Sequence, residues 1–265
     1  MQKIITLEKT YIVAKHSSEK AFTYILNKEF ENLDVEVKGI SFTKERYAEV
    51  TIEGEDEEIA KNILIRNYGT TQSIGDLQEG DIIYGRFREV GEVKFGLFID
   101  CGITSTTQSI DALYPLFEMR NQLAQGKKVP LTNMVRAYGF TDNLPMFFEV
   151  IKKQIIGSKV WVKLTDESLK WLKSTLKEKK EALIICGTTR RMIKQALIGS
   201  NHAEDIEVIE RIGLLEYRLI CKRGTRADGL IPELGYLLGR AKIGAQVPSR
   251  VKELTKVQEE LKVKD

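Results

Sequence analysis

Histidine and cysteine are scarce in this chain of 265 residues: only His16 and His202, and only Cys101, Cys186 and Cys221. No two of these five stand at metal-ligand spacing, which argues against a structural zinc site. An odd number of widely separated cysteines does not make a disulfide framework, so a reducing, cytoplasmic setting is expected. Proline is also rare, with five residues. No apolar run reaches the ~18 residues of a membrane span, and the amino terminus shows no cleavable apolar signal region. A strong excess of charge is missing too: Lys+Arg 41 against Asp+Glu 38 gives a net charge of +3. A uniformly basic coat for nucleic acid is therefore excluded, but a local patch is not.

What is present is an ordinary globular content, 42% apolar and 30% charged, enough to bury real cores. The charge is unevenly distributed. Residues 1–75 are net −3, residues 76–166 are neutral, and residues 167–265 are net +6. The pattern divides the chain into an amino-terminal α/β domain (1–75), a middle domain (76–175) and a basic carboxyl-terminal α/β domain (176–265).

Both outer thirds read as small β-α-β-β-α two-layer units, giving an α+β multidomain class. In the first, strands are expected over 4–14, 34–42 and 47–52. Ser17 or Ser18 would cap a helix carrying Phe22, Leu26 and Phe30. The acidic run Glu55 to Glu58 suits the start of a second helix burying Ile59, Ile63 and Leu64. In the last third, 182–186 is a strand and Thr188 or Thr189 caps a helix to about Ser200. Residues 206–221 form a hairpin, and 230–240 a short helix with Pro232 in its first turn. A charged helical or frayed tail follows from Lys252.

In the middle, residues 77–102 read as two strands with closely approaching backbones. Gly85 and Gly96 sit where a small barrel coils sharply. Gly80-Asp81, Gly85 and Phe95-Gly96-Leu97-Phe98-Ile99-Asp100 resemble, position by position, the S1-type RNA-binding OB fold. Gly157 to Leu164 resembles that family's later strand, followed by Asp166 and Lys170. Asp111-Ala112-Leu113-Tyr114 stands where the family has Gly-Leu-Val-His. Residues at about 115–154 then form a long insertion, read as a decorated loop with short helices. The resemblance implies a barrel presenting Phe95 and Phe98 to bases, with Tyr114 in place of the family's histidine. Arg86, Arg88, Lys94, Lys163 and Lys170 would meet phosphates. On residue type alone, Phe98 suits the barrel core as well as the ligand face, and Phe95 is the better candidate for exposure.

Two strand-loop-helix junctions in the basic third combine glycine, threonine and arginine in a way that suits a phosphate: Thr188, Arg190 and Arg191, then Thr225 and Arg226. Ordinary capping explains them equally. The strings 213–217 and 221–232 are similar to an archaeal family of uncharacterised proteins that places an S1-like segment between two α/β portions. No motif assigns a nucleophile, metal or cofactor. The function expected is non-enzymatic RNA binding, linked to the ribosome, ribosomal RNA or translation. The alternatives are an RNA-processing or modifying enzyme with its site in the carboxyl domain, and a protein-interaction module, for instance on RNA polymerase.

Overall fold

The structure, a computed structural model, describes residues 1–11, 15–105 and 108–256. Alternating apolar residues build the amino-terminal sheet from β1 (Gln2–Lys9), β2 (Val35–Phe42) and β3 (Tyr47–Gly54), in the order β1-β3-β2 with antiparallel neighbours. Helices α1 (Lys15–Glu29) and α2 (Glu57–Tyr68) cover it, and Phe22, Leu26, Ala60 and Leu64 share one core with Ile4, Val50 and Ile52. Helix α1 is already formed at Lys15, so Ser17 and Ser18 lie inside it instead of capping it. Ile59 faces solvent, contrary to the burial expected, because α2 turns Ala60 and Leu64 to the sheet. The expected strand over 4–14 ends at Lys9, and its residues 12–14 lie outside the described residues.

The middle of the chain is a closed barrel. Its strands are β5 (Ile82–Arg88), β6 (Gly96–Thr104), β7 (Ser109–Pro115), β8 (Pro145–Gln154) and β9 (Lys159–Leu164), preceded by a two-residue strand β4 (Gln72–Ser73). Pairing runs β5-β6-β7-β9-β8 and back to β5, with β7–β9 parallel and the other barrel pairs antiparallel. This is an OB-fold-like ring. The glycines serve the closure: a Cβ on Gly85 would meet Cys101 Sγ and Ile99 Cγ2 at 2.6 Å. The segment read as an insertion is in part the barrel itself. It supplies α3 (Leu116–Ala124), α4 (Leu131–Tyr138) and the strand β8, whose Met146, Phe148 and Val150 point inward. Helix α5 (Asp166–Glu178), capped by Thr165, leaves the barrel toward the last unit.

The carboxyl unit has β10 (Ala182–Cys186), α6 (Arg190–Gly199), β11 (Ile206–Arg211), β12 (Glu216–Cys221), α7 (Ala227–Leu238), β13 (Lys242–Gln246) and α8 (Pro248–Lys256). Its sheet runs β11-β12-β10-β13 with antiparallel neighbours, and β13 is a strand beyond those expected. Strand β10 is buried on both faces. Leu183 and Ile185 pack under α6 and α7, whereas Ile184 and Cys186 join the barrel core with Val251 and Leu254 of α8. The tail expected from Lys252 is helical through Lys256, and the rest lies outside the described residues. The whole is an α+β multidomain protein, a central closed barrel flanked by two smaller sheet-and-helix domains. No described helix is long and apolar enough to cross a membrane.

Candidate nucleic-acid interface

Residues directly opposite in a sheet share a face, so register locates the barrel's outer surface. Arg88 pairs with Phe98, Phe98 with Leu113, Leu113 with Trp161, and Trp161 with Lys152. One row therefore crosses β5, β6, β7, β9 and β8, aromatic and aliphatic at the centre and cationic at both ends. The inward neighbours Phe87, Ile99, Ala112, Val160 and Val162 fill the core. Phe98 thus belongs to the outer face. Phe95, 56% exposed, packs edge-on against it with ring centres 6.0 Å apart. Lys94 beside it is exposed. Lys152 Nζ stands 5.8 Å from the Trp161 ring centre, and Arg88 Nη1 lies 3.2 Å from an Asp111 carboxylate oxygen. Burial pushes the Asp111 carboxyl up, against the pull of Arg88, and nearby Asp100 adds to the rise.

Trp161 and Lys152 were not among the expected contacts. Trp161 was legible: in Lys-Val-Trp-Val-Lys-Leu the valines and leucine alternate inward, so tryptophan must point out. Lys152 was hidden because its strand was read as a loop.

Two of the contacts expected on the barrel are interior residues. Tyr114 is fully buried in the barrel core, its hydroxyl donating to Gln122 Oε1 at 2.8 Å. Arg86 is 2% exposed and ties the three domains together. Its guanidinium meets Glu8 of β1 at 2.8 Å and Glu216 of β12 at 2.9 Å, and it donates to the carbonyls of Leu7 and Asn143. Tyr84 donates to Glu8, Tyr11 donates to Glu216, and the Leu214 N–H closes on Glu8. One register step from Arg86, Asp100 accepts from Lys9 and Tyr47. The amino-terminal domain thus covers the half of this face that holds Arg86 and Asp100. Lys163 pairs with Glu149 at 3.0 Å, away from the aromatic row, and Lys170 is exposed on α5.

The two junctions of the carboxyl domain are largely saturated by the chain itself. Thr188 is buried, and the N–H groups of Gly187 and Thr188 donate to the Leu215 carbonyl. Thr189 caps α6 by accepting from Met192 N–H. Only the Arg190 and Arg191 side chains reach solvent there. At the second junction the anion at the start of α7 is internal: Glu181 accepts the Ala227 N–H at 2.7 Å. Thr225 donates to Asp205, and Arg226 turns to Asp228, which Arg250 also holds.

Groups able to do chemistry are held apart. His202 bonds Asp205 at 2.7 Å, and that carboxylate raises the imidazole pKa, against burial and with help from Glu233. Burial pushes the Cys186 thiol well up and the Cys221 thiol up to about 12. Among the described residues no group of three or more His, Cys, Asp or Glu could hold a metal ion. The assembled surface brings the rings of Phe95, Phe98 and Trp161 together with the cations Arg88, Lys94 and Lys152.

Three family models match the chain in order: the DUF2110 N-terminal domain over 3–74, the DUF2110 central domain over 77–175 and the DUF2110 C-terminal domain over 180–247. No curated protein matches it. Among solved structures, the intact alpha subunit of aIF2 from Pyrococcus abyssi is similar over 64% of this chain and 97% of that one, at 10% identity and a TM-score of 0.24. A likeness that weak carries no argument about what the chain binds.

Proposed function

The chain belongs to the DUF2110 family, and we propose that it acts as a non-enzymatic RNA-binding protein. The observation that carries this is the register row Arg88–Phe98–Leu113–Trp161–Lys152 with Phe95 at its edge. An exposed ring, Phe95, with half-buried Phe98 and Trp161 flanked by cations on a barrel wall suits single-stranded RNA, whose unpaired bases offer flat faces. The sequence likeness of residues 77–102 to S1-type barrels supports the same reading. Arg190 and Arg191 are outlying phosphate contacts in the basic carboxyl domain. The setting proposed with it is an archaeal cytoplasm, with ribosomal RNA as the ligand. That part rests on the sequence likeness alone.

The test is titration of labelled single-stranded RNA read by fluorescence anisotropy in parent and variants, with tryptophan emission of the parent as a second readout. Stacking on Trp161 quenches its emission, whereas Trp171, covered by Arg218 at 4.2 Å, supplies a constant background. Trp161→Ala and Phe95→Ala are each expected to weaken binding about tenfold, within the ~1–3 kcal/mol of a stacked base. Three phosphate contacts, from Arg88, Lys94 and Lys152, predict a slope of roughly −2 in log affinity against log salt. Affinity that is undetectable at low salt, or indifferent to both ring deletions, would exclude the reading. Co-sedimentation with ribosomal subunits before and after nuclease tests the setting.

A further inference from the structure

Opposite in charge to the aromatic row, a groove runs over the outer faces of β5 and β8, where all three domains meet. It consists of three adjoining hollows of 810, 260 and 210 Å³, and Tyr84 and Phe147 line every one of them. These two rings are register partners on β5 and β8, packed edge to face with centres 5.2 Å apart. Each domain gives a wall: Asn67 from α2, Glu167 at the start of α5 and Arg211 from β11.

Along the same outer wall the next register pair is Ile82 with Glu149, and Ile82 is 68% exposed. The rim of the largest hollow carries Asp81, Glu149, Asp166 and Glu167 against one cation, Arg66. Lys163 answers Glu149, which leaves three carboxylates facing one arginine. The charges at the far end are bound internally. Arg211 donates to the Leu214 carbonyl and lies over the Tyr217 ring, and Glu210 is held by Arg218 and Trp171. Along β5 Arg88 stands ~20 Å from Ile82 at ~3.3 Å per residue, and neither Phe98 nor Trp161 lines any of the three hollows.

We propose that this groove binds an extended basic segment of a protein partner, lysine or arginine interleaved with apolar residues. An aromatic floor and an exposed isoleucine take the apolar side chains. The acidic rim pairs with the cations and repels nucleic-acid phosphate. Three hollows that adjoin around the Tyr84–Phe147 pair seat more than one apolar side chain of the same segment. The inference stands independently of RNA binding on the aromatic row.

The experiment is fluorescence anisotropy of the full chain with a labelled peptide of alternating lysine and leucine, against its glutamate–leucine counterpart. Saturable binding of the lysine peptide alone is expected. Glu167→Arg and Ile82→Ser, both at exposed positions, should each weaken it about tenfold, and Trp161→Ala should leave it unchanged. The proposal is overturned if the lysine peptide does not bind at low salt or the glutamate peptide binds equally. It is equally overturned if both groove variants with unaltered melting temperatures bind like the parent, or if Trp161→Ala abolishes binding.

Discussion

Asp100 shows how a residue can match a family pattern and serve another purpose. It completes the Phe-Gly-x-Phe-Ile-Asp string on β6, yet its carboxylate is 8% exposed and accepts from Lys9, Tyr47 and the Gly102 N–H. Burial pushes this carboxyl up, but Lys9, Tyr47 and the Gly102 N–H outweigh it and hold the pKa below its usual value. A carboxyl depressed in the folded state stabilises at any pH above its unfolded value. That stability disappears as pH falls through the folded value. Asp100→Asn should therefore cost roughly 1.5–3 kcal/mol at neutral pH, as for a hydrogen-bonded charge. The gap between parent and variant should close in acid. Urea unfolding at neutral pH and near pH 3 checks it, and a gap independent of pH would rule out the ion pair as its source.

At the scale of elements, most strands were legible from their alternation, and two, β8 and β13, were not. Strand β8 begins with Pro145, tolerable at a first strand position, and its adjacent Phe147 and Phe148 hide the alternation because both are apolar. Strand β13, only five residues long with Gly244 inside, carries little period at all. The start of α7 was misplaced for a different reason. Sequence reasoning put Pro232 in the first turn, but the helix begins at Ala227, because Glu181, distant in sequence, accepts that residue's N–H. Pro232 then removes one internal bond from the helix, which makes the carboxylate at its start more valuable. Glu181→Ala is expected to destabilise the carboxyl domain by roughly 1.5–3 kcal/mol, the range for a hydrogen bond to a charged group. Hydrogen exchange resolved along the chain should show the largest loss of protection in the first turns of α7. Uniform loss over all three domains would contradict this local role.

For the molecule as a whole, segment charges say nothing of how tightly the barrel and its flanking domains are fastened. The sequence leaves Phe98 open between core and outer face, and the strand register places it on the outer face with Arg88. Arg86 and Tyr114 were misjudged because partners distant in sequence, Glu8, Glu216 and Gln122, decide that they are interior. Arg86 is the sole cation in direct contact with both Glu8 and Glu216 among the described residues, and each domain supplies one member of that triad. Burial raises the Glu216 pKa against the pull of Arg86, with Glu8 adding to the rise, so this carboxylate is already under electrostatic load. Arg86→Met leaves two buried carboxylates facing each other, and breaking a buried pair costs about 3–5 kcal/mol. The loss should also change how the protein unfolds. In the parent, an arginine shared by three domains ties them into one calorimetric transition; in the variant, the transition should separate into at least two. Lowering the pH should narrow the loss, because a carboxyl whose folded pKa is raised takes up its proton first in the folded state. A single, equally sharp transition in Arg86→Met, with a deficit that does not shrink in acid, would mean that the apolar packing between barrel and flanking domains holds them together without the triad.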